Sequence, residues 1–194
     1  IDHSLLCCIY GAASPRDRPS FPTPRSSGLP PAPSVDYRMM MACGQIVNYA
    51  WREGIDATEV EPVFEQAMAL ARKLKDMRAA ALITMAFGRV LVATGSASDY
   101  VARVEDAQSL IRGSGNPSVE AVLSAVHSHA LMTEGSLSVA LHSNTIAIEQ
   151  VGLIEARDRQ TLGFHPEHWL KTQRARILML LGDLEAANAV VAEL

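Results

Sequence analysis

Residues 180–194, LLGDLEAANAVVAEL, carry the reading that decides the fold: an apolar helical run ends at Gly182, and a second begins after Asp183. Glycine adopts the left-handed backbone that closes a helix, and an aspartate directly behind it is suited to cap the next one. Working outward, the same punctuation occurs at Gly54 in REGID, Gly95 in ATGSA and Gly135 in TEGSL, so the four glycines lie 41, 40 and 47 residues apart. Seven residues before them stand Val47, Gly88, Ser128 and Ala175, mostly small, where two paired helices would approach closely. Five residues after them stand Glu59, Tyr100, Ala140 and Ala187, so a small residue appears there only in the last two units.

Between these marks the chain is written in helical periods. Val60, Val63, Phe64, Ala67, Met68, Ala71 and Leu74 fall on one stripe, and Asp56 with Glu59 reads as an aspartate-led capping box before it. Further stripes run through Leu82, Met85, Ala86 and Val90, through Val101, Val104, Ala107 and Ile111, and through Val119, Val122, Leu123, Val126 and Ala130. Leu137 to Val151, Leu170 to Leu181 and Leu184 to Leu194 continue the pattern, and with Met40 to Trp51 the spacing predicts eight helices. Asn116-Pro117 reads as a cap and first-turn proline after the glycines at 113 and 115. IEARDR, residues 154–159, reads as a solvated connection that lengthens the last interval.

Composition agrees with an all-α fold. Of 194 residues, 48% are hydrophobic but only 5% aromatic, and Ala, Leu, Val and Met are plentiful. A net charge of −4 supplies no basic footprint, which argues against nucleic acid as a partner. Seven of the ten prolines lie between Pro15 and Pro33 among serines, so residues 1–36 read as a disordered leader or linker and residues 37–194 as the helical domain. Pro19 with Pro22, and Pro30 with Pro33, satisfy PxxP, a degenerate pattern that a linker also produces. Cys7, Cys8 and Cys43 have no metal-ligand spacing and read as reduced thiols of a cytoplasmic protein. No membrane anchor or secretion signal is indicated. Because the chain begins at Ile1 and its helical pattern is still running at Val190, Val191 and Leu194, a piece of a larger protein is expected.

A small residue, a tight glycine turn and a second small residue resemble the tetratricopeptide (TPR) pattern, although these units exceed its period of about 34 residues. The resemblance implies a TPR-like solenoid of about four antiparallel helical hairpins, each burying its apolar stripe on its neighbours. Three stretches carry a more specific likeness: CGQIVNYAWREG (43–54), MAFGRVLVATGSASDYVARVEDAQSLI (85–111) and LGFHPEHWLKTQRARILMLLGDLEAA (162–187). Their order and spacing resemble the C-terminal helical-repeat region of bacterial multidomain adenylate/guanylate cyclase-like or AAA-type ATPase signalling proteins. That likeness implies a noncatalytic interaction or sensor module that binds a protein or peptide partner, including the catalytic domains of its own parent. A free-standing TPR-like adaptor is the alternative.

The family's catalytic roles find no positions to occupy. GxxxxGK[ST] is absent, there being no Gly-Lys-Ser or Gly-Lys-Thr, and no paired-aspartate cyclase signature is present. No catalytic, cofactor-binding or metal-binding residue is therefore assigned. His127 and His129 are two apart and point to different helix faces, whereas His165 and His168, with Glu167 between them, are spaced to converge. Pro166 explains that second group as a helix start capped by His165. Ser114, Ser118, Ser124 and Ser128 lack a nucleophile elbow. Arg72, Lys73, Lys75 and Arg78 read as cations complementing a helix C-terminus, Met39 to Met41, Met77 and Met85 as core filling, and Trp51 and Trp169 as packing anchors.

Overall fold

In the computed structural model the described residues are 34–194; the proline-rich stretch with its PxxP patterns, together with Cys7 and Cys8, lies outside them. Among the described residues there are nine α-helices and no strands. They are α1 (Val35–Glu53), α2 (Ala57–Leu74), α3 (Met77–Ala93), α4 (Ala97–Ile111), α5 (Pro117–Glu134), α6 (Leu137–Gln150), α7 (Ala156–Leu162), α8 (Pro166–Leu181) and α9 (Leu184–Val191). The first helix starts inside the segment read as leader, because the Ser34 side chain accepts a hydrogen bond from the Tyr37 amide. Asp56 caps α2 as expected, but through the amide and hydroxyl of Thr58 rather than with Glu59. The Asn116 side chain accepts from the Val119 amide at 3.2 Å, as its position before Pro117 predicts.

Consecutive helices pack on one another: α1 on α2, α3 on α4, α5 on α6 and α8 on α9, with further contacts of α2 and α1 on α3, α4 on α5 and α6 on α8. All four glycine turns close in one way. The residue after the glycine donates its amide to the carbonyl five residues back, Ile55 to Ala50, Ser96 to Leu91, Ser136 to Leu131 and Asp183 to Leu178, at 3.0 to 3.1 Å. The α2–α3 turn uses the same bond, Asp76 to Ala71, with Lys75 in the left-handed region at φ 56°. Lys75 thus ends a helix through its backbone, which its side chain did not advertise.

The structure also corrects the count across the first turn. Ile55 is an extra residue between Gly54 and the cap, so the inward position is Val60 and not the exposed Glu59. The fourth residue of α2, α4, α6 and α9 is then Val60, Tyr100, Ala140 and Ala187, and all four are buried. Opposite Tyr100 lies Gly88, where an added Cβ would sit 2.9 Å from the Tyr100 ring and 3.1 Å from the Arg103 Cβ. The missing side chain of one helix is the space occupied by the other's tyrosine. In the next pair the Ser128 hydroxyl donates to the Ala140 carbonyl at 3.4 Å, so small faces small.

The core is divided around α3, which is buried continuously from Ala79 to Val90. One apolar cluster joins α3 to α1 and α2 through Met40, Val47, Phe64 and Phe87. Another joins it to α4 and α5, and to Leu162 and Ile177, through Met85, Tyr100, Leu123 and Val126. Two expectations from the stripes change. Met40 and Met85 fill the core, but Met39, Met41 and Met77 are exposed. Leu180, Leu181, Leu184, Val191 and Leu194 are also exposed, because no described residue packs on that face of α8 and α9.

IEARDR is not a solvated connection. Arg157 is exposed, but Ile154 is buried and Asp158 is wholly buried in a ninth helix, α7, that the periodicity did not reveal. The Asp158 carboxylate pairs with Arg78 of α3 and accepts from the Ser118 hydroxyl of α5, while the Ser118 oxygen accepts the Glu155 amide at 2.9 Å. A seven-residue helix has too little apolar surface to announce itself; a buried carboxylate tie holds it instead. This also corrects the reading of Arg78, which lies in the first turn of α3 rather than at a helix C-terminus, whereas Arg72 and Lys73 do end α2.

Two stability measurements check these packing claims. Gly88→Ala is expected to destabilise by about 1–2 kcal/mol, since overpacking outweighs a helix-propensity gain of about 1 kcal/mol. Urea denaturation should recover a large part of that loss when Tyr100→Ala is the background, a coupling that independent sites would not give. Asp158→Ala is expected to cost about 2–3 kcal/mol, moderated by the partial exposure of Arg78, with Asp158→Asn costing less. Amide exchange across 156–162 should rise first if the tie holds α7.

Candidate functional site

Arginine in an enclosed apolar helix is the feature that sets the site. The run MAFGRVLV places Arg89 in the middle of α3, where it is only 7% exposed. Burying a guanidinium is costly unless each donor finds a partner, yet among the described residues Arg89 forms no ion pair and its Nη2 has no hydrogen-bond partner. Burial and the neighbouring charge of Arg52 depress its pKa, while the adjacent Tyr100 hydroxyl opposes that shift. An arginine stays protonated under such conditions, so the site holds a fixed positive charge.

Around Arg89 the helices supply an aromatic enclosure. A cavity of about 240 Å³ is lined by Trp51 from α1, Arg89 from α3, Tyr100 from α4, His129 from α5, Phe164 from the α7–α8 turn and Trp169 from α8. The guanidinium carbon lies 5.9 Å from the Phe164 ring centre. Phe164 and Trp169 are tilted against each other at 4.4 Å, Trp169 and His129 at 5.5 Å, and Tyr100 meets His129 edge-on at 5.8 Å. Among the described residues the Trp51 indole N–H is a second buried donor without a partner. Arg52 lies across Trp51 and Tyr49 and reaches the surroundings of Gly163, adding positive potential at the rim.

Among the described residues the cavity has no carboxylate in its lining. Burial, reinforced by Arg89 and Arg176, lowers the His129 pKa to about 4, so this histidine is neutral near pH 7. Its Nδ1 lies 3.2 Å from the Tyr100 hydroxyl. Burial, as the main cause, raises the Tyr100 pKa, so the phenol stays protonated.

The residues singled out by sequence fall elsewhere or acquire new roles. His127 and His129 do diverge: His127 Nδ1 lies 3.4 Å from Ser143 Oγ, and its Nε2 lies 3.8 Å from Glu105. His165 begins α8 without a side-chain cap bond; it lies 2.9 Å from Glu167 and 3.2 Å from His168. Glu167 is committed to Arg159 at 2.7 and 2.8 Å, a contact that holds its pKa below the usual carboxylate range. Among the described residues no group of three His, Cys, Asp or Glu side chains is arranged to hold a metal. Ser118 binds Asp158, and Ser128 lies 3.4 Å from Gln173 Oε1. Cys43 is buried and free, its thiol pKa raised by burial.

Arg89, Tyr100 and Phe164 were not singled out by spacing. Arg89 had a visible signal, a lone charge within MAFGRVLV; Tyr100 and Phe164 reach the cavity only through the packing of α4 and the α7–α8 turn. Trp51 and Trp169 are the anchors expected, and they are also its walls.

The fold and cavity define an all-α protein with a preformed, aromatic-walled, positively charged enclosure. No protein-family model matches the chain, and no curated protein matches it in sequence. No helix among the described residues is long and apolar enough to cross a membrane.

A pH titration checks the buried imidazole. The unfolded chain binds the His129 proton near pH 6.5 and the folded chain only near pH 4, so stability falls as pH drops through that window and levels off below it. Urea denaturation is expected to report a loss on the order of 2–3 kcal/mol from this group, and His129→Asn should remove most of that slope.

Proposed function

We propose that this chain is a noncatalytic, TPR-like helical-repeat module that senses or binds a partner, stacked as a solenoid of four helical hairpins. The observation that carries the reading is the common inward position: Val60, Tyr100, Ala140 and Ala187 sit at the fourth residue of four helices, each following an identically bonded turn. Repeats whose units share one turn and one buried position gain stability by stacking and leave broad surfaces for partners.

The signalling part of the proposal rests on the three stretches 43–54, 85–111 and 162–187. They resemble the repeat region of bacterial cyclase-like or AAA-type ATPase proteins, in which the repeats accompany catalytic domains. On this reading an effector or protein partner favours one packing of the helix pairs, and the difference in affinity between two packings is transmitted to an attached domain. A cytoplasmic location accords with cysteines read as reduced thiols. A free-standing adaptor shares the architecture but needs no neighbouring domain.

Two experiments test the two parts. Native-state hydrogen exchange resolved by helix should give a lower opening free energy for α8–α9 than for α3–α5; one concerted opening of residues 35–194 would overturn the repeat reading. Sequencing the coding DNA upstream of Ile1 should reveal an in-frame cyclase or P-loop NTPase domain. A start codon immediately upstream would overturn the signalling assignment and leave the adaptor.

A further inference from the structure

We propose that the Arg89 cavity binds a small organic anion, a carboxylate carried on a flat apolar body. This deepens the sensor reading by giving its effector a chemical class. Arg89 and Trp51, which carry the unpaired buried donors Nη2 and Nε1, both line this cavity, and among the described residues no acidic side chain lines it. An unmet buried donor raises the energy of the empty site, and a carboxylate, whose two oxygens accept separate hydrogen bonds, is the group suited to answer it. The charge decides the sign of the ligand: a cation is repelled by Arg89, and a neutral amide forgoes the charge-assisted bond.

The walls decide the body. Phe164 and Trp169 present ring surfaces, and His129, held neutral, adds a third without adding charge. Flat apolar groups gain contact area there, whereas a bare inorganic anion would bind the donors and leave the rings unsatisfied. At about 240 Å³ the cavity lies below the range typical of drug-sized ligands and suits a one- or two-ring acid.

Placement gives the cavity a consequence for packing. Its lining comes from α1, α3, α4, α5 and α8, so a bound anion ties the Trp51 end of α1 to the Trp169 end of α8 through Arg89 on the central helix. Occupancy therefore stabilises one mutual arrangement of these helices, the event a sensor requires.

The test uses the whole 194-residue chain and 2-naphthoate as the probe. Both tryptophans of the chain, Trp51 and Trp169, line the cavity, so indole emission reports occupancy directly, and calorimetry provides stoichiometry. The expected result is saturable one-to-one binding with Kd below about 1 mM, at least about 10-fold weaker binding of neutral 2-naphthamide, and no competition from inorganic phosphate at equal concentration. Arg89→Met should weaken naphthoate by at least about 10-fold, change naphthamide by less than about 2-fold, and leave the melting temperature of the free protein equal or higher, because it removes an unpaired buried cation. Should that variant fail to fold, Trp51→Phe, which deletes only the second donor, is expected to weaken naphthoate by about 3-fold or more. Absence of saturable binding, equal affinity for acid and amide, or full displacement by phosphate would overturn the proposal. Failure here alongside helix-by-helix exchange removes only the cavity's ligand; tight naphthoate binding alongside concerted exchange removes only the repeat reading.

Discussion

A helix without a polar face has to be enclosed, and enclosing α3 organises everything around it. From Ala79 to Val90 every residue of α3 is buried, so α1 and α2 must cover one side while α4 and α5 cover another. The two apolar clusters meet on this one rod. Gly88 lets α4 approach closely enough for the Tyr100 ring to take the space of its missing side chain, and the same enclosure leaves Arg89 facing only the aromatic-walled cavity. Close packing and the stranded guanidinium are thus products of the same constraint. Hydrophobic burial supplies the driving force for the enclosure, and the arginine is a cost carried within it.

Enclosure by paired helices alone would leave the cavity without its outer wall. That wall, Phe164 and Trp169, depends on where α7 delivers the chain. The buried Asp158 carboxylate fixes α7 to Arg78 on α3 and to Ser118 on α5, and Arg159 with Glu167 then joins α7 to the start of α8. Leu162 adds a buried apolar anchor at the far end. A polar tie therefore positions an apolar wall. This division of labour suits a short helix, which can bury one carboxylate with full hydrogen bonding more readily than it can build a hydrophobic face of its own.

The long amphipathic stripes were legible in sequence because tertiary packing leaves their 3.6-residue period intact. The Asn116-Pro117 start and the four glycine stops were also legible, since each is a local backbone requirement. What escaped was set by contacts distant in sequence. Asp158 looks like a surface charge until Arg78, 80 residues earlier, is placed beside it. Glu59 stands five residues after Gly54, where the repeat expects a small residue, because Ile55 adds one position to its turn, a difference invisible without the backbone. The exposed Leu180 and Leu184 carry the right period for burial, but periodicity specifies a face and not what covers it. At the cavity, both tryptophans were read as anchors and Arg89 was passed over. A single charge within an apolar run is the kind of local inconsistency that marks a site, although the walls around Arg89 come from residues distant in sequence.

The turn that Lys75 closes has an evolutionary meaning. It makes the same five-back amide bond as the glycine turns, and at Gly54, Gly95, Gly135 and Gly182 a Cβ would meet no atom within 4 Å. These corners demand a backbone angle rather than space: Gly54, at φ 66°, lies near the angle that Lys75 adopts, whereas Gly135 and Gly95, at φ 99° and 109°, hold a backbone that residues with a Cβ rarely adopt. Length is equally free just beyond them, as Ile55 illustrates, because the inward position is counted from the start of the next helix. A lineage carrying this fold can accordingly replace a corner glycine such as Gly54, and gain or lose corner residues, while the buried positions stay in phase. Descendants would then share the bonding at each corner long after the sequence period that first betrayed it had faded.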